Sequence, residues 1–131
     1  IKMGLDLTLM PLRDARELAG TVLGYDRMQF DRQYAIFVQI ADVDGKSAVP
    51  DEGVEAIVRT HPLPPAVKVG IYGDEGINTT RENPYGEEMV YALAKELGAL
   101  RLPENATQKN RAIMAYINAL EGDTPVILEW R

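Results

Sequence analysis

Cysteine is absent from the 131 residues, which excludes disulfides, thiolate zinc sites, iron–sulfur clusters and thiol nucleophiles together. Histidine is nearly absent: one copy, His61, would have to serve any Ser-His-Asp triad or two-histidine metal motif. It stands in His61-Pro62-Leu63-Pro64-Pro65, a proline-rich connector, where the plain reading is an ordinary loop histidine and a catalytic one needs partners from elsewhere in the chain. No apolar run approaches the ~20 residues that span a bilayer, and no basic-plus-apolar leader opens the chain; Ile1 and Lys2, ahead of Met3, carry no argument. Basic residues are the minority, 14 Lys and Arg against 20 Asp and Glu, for a formal charge of −6. Such a surface repels polyanions at long range, and the only tight basic pair, Arg27 and Arg32, is offset by the adjacent Asp26 and Asp31. These absences predict a cytoplasmic protein with no membrane partner, no nucleic-acid partner and no cofactor.

What is present is a globular composition, 46% hydrophobic, in a chain of one-domain length, so residues 1–131 are read as a single domain. The clearest strand is Ala66 to Tyr72, where Val67, Val69 and Ile71 alternate with Lys68, Gly70 and Tyr72. Met3 to Met10 alternates as well, with Leu5, Leu7 and Leu9 on one face and Asp6 and Thr8 on the other, and Pro11 is expected to stop ladder pairing. Leu12 to Ala19 reads as a helical turn or loop, and Thr21 to Phe30 as a strand interrupted at Gly24. Tyr34, Phe37, Val38 and Ala41 fall at helical spacing, which predicts a helix over Asp31 to Asp42 with Asp31 near its N-cap; a shorter one should begin at Pro50 with Val54, Ile57 and Val58 inward. Helices are also predicted over Glu87 to Leu97, closed by Gly98 in a left-handed cap, and over Glu104 to Glu121, with Ile113, Met114, Ile117 and Leu120 inward. Pro125 to Trp130 is the final strand. The order ββααβααβ implies an α+β two-layer sandwich of about four strands with helices packed on one face.

In that architecture the opposite sheet face would carry Asp6, Lys68, Tyr72 and Glu129 as an interaction-face candidate for another protein or a second copy, the alternative being plain solvation. Chemistry is densest in Gly73 to Gly86, read as a long loop. There Asp74, Glu75, Asn78, Thr79 and Arg81 are ligand-binding candidates: glycines can turn amides inward, threonines supply hydroxyls, and Arg81 suits a carboxylate or phosphate. Asp74 and Glu75 oppose an anion, the glycine spacing matches neither phosphate-loop signature, and the competing reading is a surface loop with a turn at Asn83-Pro84-Tyr85-Gly86. Asp74, Glu75 and Asn78 are the alternative oxygen ligands for a hard cation such as magnesium or calcium, but the dense calcium-loop pattern is absent, so no metal site and no catalytic residue is assigned. Carboxylates for hydrolysis would have to be paired from Asp6, Asp74, Glu75 and Glu129. The cluster of Tyr25, Asp26 and Arg27 with Phe30, Asp31 and Arg32 reads as capping the following helix and fixing a strand-to-helix junction by ion pairs.

Met3-Gly4-Leu5-Asp6-Leu7, then Tyr25, Arg27, Phe30-Asp31-Arg32, Tyr34 and Phe37, and the close Asn110-Arg111-Ala112-Ile113, Tyr116 and Thr124 to Trp130 resemble small phage and prophage proteins that open Met-Gly-Leu-Asp. The resemblance covers most of the chain and implies a phage-related origin and an intracellular setting, with no activity or site to carry over. The function expected is therefore a non-enzymatic binding or interaction protein. The alternatives are a small hydrolase or ligand-binding domain built on the 73–86 loop, and an acidic mimic of nucleic acid.

Overall fold

Every residue from Pro125 to Trp130 is buried, a pattern that arises in an antiparallel strand when something packs against each of its faces. The computed structural model describes residues 5–23, 26–49 and 55–131. In chain order they form β1 (Leu7–Pro11), a 3₁₀ turn (Ala15–Glu17), β2 (Thr21–Leu23), β3 (Met28–Gln29), α1 (Tyr34–Phe37), β4 (His61–Pro62), β5 (Lys68–Gly73), β6 (Gly76–Thr80), β7 (Val90–Leu93), α2 (Ala94–Leu97), α3 (Gln108–Ala119) and β8 (Pro125–Trp130). Five strands make an antiparallel sheet in the order β3-β1-β8-β7-β4; three make a smaller one, β2-β5-β6, in which β2 runs parallel to β5 and β5 and β6 are a hairpin.

The two faces of the larger sheet have separate cores. Leu7 pairs with Trp130 and Leu9 with Leu128, and this face, with Leu5, Val90, Ala92 and Val126, packs on Ile36 and Phe37 of α1 and Ile113, Met114 and Ile117 of α3. Phe37 meets Trp130 edge-on, ring centroids 5.5 Å apart. One residue further along, Met10 pairs with Ile127 on the reverse face, where Met89 joins them against Val22, Leu63, Val67 and Val69 beneath the smaller sheet. α3 begins where the Thr107 hydroxyl accepts from the Asn110 N–H, and Asn110, fully buried, bonds both backbone groups of Asp31, accepting its N–H at 2.7 Å and donating to its carbonyl at 3.0 Å.

The two-layer reading is therefore wrong: among the described residues there are eight strands in two sheets and three α-helices, of which only α3 exceeds one turn, and the face expected to be wet carries a second sheet. The predicted helix over Asp31 to Asp42 shrinks to Tyr34–Phe37 with Gln33 at its N-cap, because Ile40 and Ala41 bridge to Val58 and Ser47 as extended chain. Ile57 is exposed and outside any helix, and Pro50 to Val54 lie outside the described residues, as do Gly24 and the proposed bulge there. Thr21 to Phe30 supplies two short strands in different sheets. Glu87 to Leu97 is a strand followed by one helical turn, and Gly98 closes it in right-handed conformation at φ −61°. Pro11 does not stop pairing, since it faces Val126 and Leu12 donates to the Pro125 carbonyl. No helix among the described residues is long and apolar enough to cross a membrane.

Two-sided burial makes a sharp prediction. Ile127→Ala removes a fully buried side chain on the reverse face and should cost about 2–5 kcal/mol in urea unfolding, whereas a residue on a wet face would cost about 0.5 kcal/mol or less.

Candidate functional site

Gly73 to Gly86 is no loop but a hairpin that continues into a corner. Gly73 pairs with Gly76 across the two-residue tip Asp74-Glu75, then Tyr72 with Ile77, Ile71 with Asn78, Gly70 with Thr79 and Val69 with Thr80. Gly76 holds φ at 110°, where a side chain would be strained. Past Thr80 the chain turns on Asn83, whose side-chain oxygen accepts from the N–H groups of Tyr85 and Glu87, and enters the larger sheet at β7.

The ligand-binding candidates are thereby dispersed. Asp74 and Glu75 project from the exposed tip, Asn78 and Thr79 lie along the exposed β6, and nothing encloses them. Arg81 is committed elsewhere. Its guanidinium donates to the carbonyls of Pro64 (2.8 Å), Pro65 (3.3 Å), Val67 (2.5 Å) and Leu63 (3.3 Å), with Glu88 at 3.6 Å. The proline segment has few N–H groups, and the fixed fork of donors gathers its carbonyls and ties it to the corner that follows β6.

The interaction-face candidates do not share a face either. Lys68 and Tyr72 stand on the exposed outer side of the smaller sheet. Glu129 belongs to the larger sheet, is 3% exposed, and is held by Arg27 at 2.5 Å and Arg131 at 3.5 Å. Asp6 pairs with Arg32 at 2.8 Å, and that hydrogen-bonded guanidinium holds its carboxyl below the ordinary range despite the opposing effect of burial. The basic residues of the 25–32 cluster thus pin the segment to the sheet, rather than capping a helix; Tyr25 lies outside the described residues. Beside Glu129, the buried Thr8 hydroxyl has no hydrogen-bond partner among the described residues.

His61, expected in a connector, sits on the edge strand β4, with Nε2 2.8 Å from one Glu96 oxygen and its ring 5.1 Å from that of Tyr91. Glu96 also accepts the Leu93 N–H at 2.9 Å, reaching back over the start of α2. Sequence reasoning missed this cluster, although Glu96, three residues past Leu93, is a capping spacing. Among the described residues no hydroxyl or amine is hydrogen-bonded to the histidine, and the pair there has the geometry of a structural contact. An open groove of about 450 Å³ beside the 3₁₀ turn is lined by Arg13, Arg16, Glu17 and Asp26, but Arg16 pairs with Asp14 and Arg13 lies 4.0 Å from Glu17. Among the described residues no three His, Asp or Glu side chains gather where they could hold a metal ion.

The feature that stands apart is an edge. Among the described residues three of the four sheet edges are blunted: β3 has two residues, β4 has two and contains Pro62, and β2 has three. The fourth, β6, runs five residues, Gly-Ile-Asn-Thr-Thr, without charge or proline, and every position but Thr80 is exposed. Since Gly73 and Gly76 close the turn as a hydrogen-bonded pair, alternation turns the N–H and C=O groups of Ile77 and Thr79 outward. Tyr72 and Ile77, opposite one another, are 59% and 47% exposed.

Compared with known proteins, the chain matches no family model, no curated protein and no solved structure.

Two measurements check these assignments. Arg81→Lys keeps the charge but loses the fork and should destabilise the fold by roughly 1.5–3 kcal/mol in urea unfolding; a phosphate-binding Arg81 would be replaceable without that loss. Because Arg32 depresses the carboxyl of Asp6, that group contributes stability above its unfolded pKa of about 3.9, and the contribution disappears as pH falls through the lower folded value. In Arg32→Gln the Asp6 carboxyl, followed by NMR, should titrate at higher pH and the stability of the fold below about pH 4 should fall less steeply.

Proposed function

We propose that the protein is a non-catalytic interaction module whose docking element is the β5–β6 hairpin. The observation that carries this reading is the uncharged, exposed edge of β6, where the other sheet edges among the described residues are short or carry proline. An extended segment of a protein partner would add to β6 as a further strand, with main-chain hydrogen bonds at Ile77 and Thr79 supplying affinity and the neighbouring Tyr72 and Ile77 side chains supplying selectivity. Tyrosine is among the residues enriched where proteins meet, which suits an exposed Tyr72 in that position. The hydrolase alternative finds less support, because Asp74 and Glu75 lie on an exposed two-residue turn.

The test is differential capture. Thr79→Pro removes one outward N–H at a position where an edge strand tolerates proline. Wild-type protein on a column should retain at least one protein from a lysate that Thr79→Pro releases, while Tyr116→Ala, on α3 away from this edge, should retain it. Identical sets bound by wild type and Thr79→Pro would remove the proposed docking edge.

A further inference from the structure

We propose that β6 pairs with β6 of a second copy of this chain, antiparallel about Asn78, joining two three-stranded sheets into one; this rests on the docking edge assigned above and names its occupant. The strand is self-complementary in a way that an arbitrary edge is not. Its outward main-chain groups belong to Ile77 and Thr79, and a two-fold axis through Asn78 sets Ile77 against the partner's Thr79 and Thr79 against the partner's Ile77. Each of these pairs then exchanges both hydrogen bonds, so that all four outward N–H groups of the two strands find a carbonyl.

The side chains agree with the same register. On the outer face, Ile77 lies diagonal to the partner's Ile77, within reach of it, and each isoleucine is already flanked by its own Tyr72. Two exposed apolar side chains per copy therefore merge into one continuous strip, and the exposure of a cross-strand Tyr–Ile pair at the end of a hairpin is relieved by the same contact that satisfies the backbone. On the other face Asn78 meets the partner's Asn78 in a pair without main-chain bonds between them, the closer of the two spacings, at which one amide can donate to the other. Charge selects this edge as well. Each copy carries −6, so most approaches of two copies are repulsive, whereas Gly76 to Thr80 brings no charge to the contact.

The absence of native cysteine makes the test clean. At the register proposed, the two Asn78 Cα atoms stand about 4.5 Å apart, inside the range that a disulfide spans. Asn78→Cys should form a covalent dimer under mild oxidation, much faster than Tyr116→Cys on the far side of the molecule. By sedimentation, the wild-type chain should dimerise with rising concentration, and Thr79→Pro and Ile77→Lys should each raise the dissociation constant by at least about tenfold with the circular dichroism spectrum unchanged. If Thr79→Pro fails to fold, Ile77→Lys and the cysteine pair decide. A wild-type chain that stays monomeric while Asn78→Cys oxidises no faster than Tyr116→Cys overturns the pairing, as does a dimer indifferent to Ile77→Lys. In the monomeric case, capture that still depends on Thr79 would keep the docking edge and discard only the second copy as its occupant.

Discussion

The coverage of β8 on both faces is the constraint from which the rest of the arrangement follows. Val126, Ile127 and Leu128 are all fully buried, so helices alone, placed on one side, cannot complete the core. α1 and α3 take the Leu7, Leu9 and Leu128 side, and a second sheet must take the Met10 and Ile127 side. That second sheet is built from short local pieces: three residues of β2 and the β5–β6 hairpin. It has enough apolar surface, through Val22, Val67 and Val69, to cover the central strands, and its hairpin runs on past the core it covers. The open edge of β6 is the consequence.

Polar side chains serve this layering more than they serve chemistry. Arg81 gathers the carbonyls of residues 63, 64, 65 and 67 and so ties the proline segment to the corner between sheets. Arg27 lies against Glu129 and Arg32 against Asp6 on the same reverse face. Asn110 replaces a ladder partner for Asp31. A buried carboxylate or amide is costly unless paired, and each of these is paired, which leaves such groups as positioning elements. The unpartnered hydroxyl of Thr8 is the exception among the described residues.

Much of the larger sheet was legible in the sequence, and little of the smaller one. The alternation of Leu5, Leu7 and Leu9 and of Val126, Leu128 and Trp130 names the residues that share the helix-facing core. The burial of the reverse face was also written there, in the unbroken Val126-Ile127-Leu128 run and in Met10 next to Leu9, since a wet face would alternate more strictly. Residues 36 to 41 and 89 to 94 are apolar at nearly every position, and in such runs period cannot separate helix from strand; bridges to Val58 and Ser47 draw Ile40 and Ala41 out of the helix, and pairing with β8 makes Val90 to Leu93 a strand. β6 was hidden by its glycine and polar residues, although Ile77, Thr79 and Thr80 are β-branched and Gly73 and Gly76 bracket a two-residue turn. Of the site residues read from that stretch, Asp74 and Glu75 stand at the hairpin tip, Asn78 and Thr79 lie along β6, and Arg81 is occupied by carbonyls.

The most direct measurement is amide hydrogen exchange along β6 at two protein concentrations. In dilute protein, Asn78 and Thr80, bonded to β5, should be protected while Ile77 and Thr79 exchange freely, and at high concentration protection should spread to Ile77 and Thr79. Protection of Ile77 and Thr79 already in dilute protein, where no second strand is within reach, would contradict an open edge, and free exchange of all four would contradict the hairpin itself.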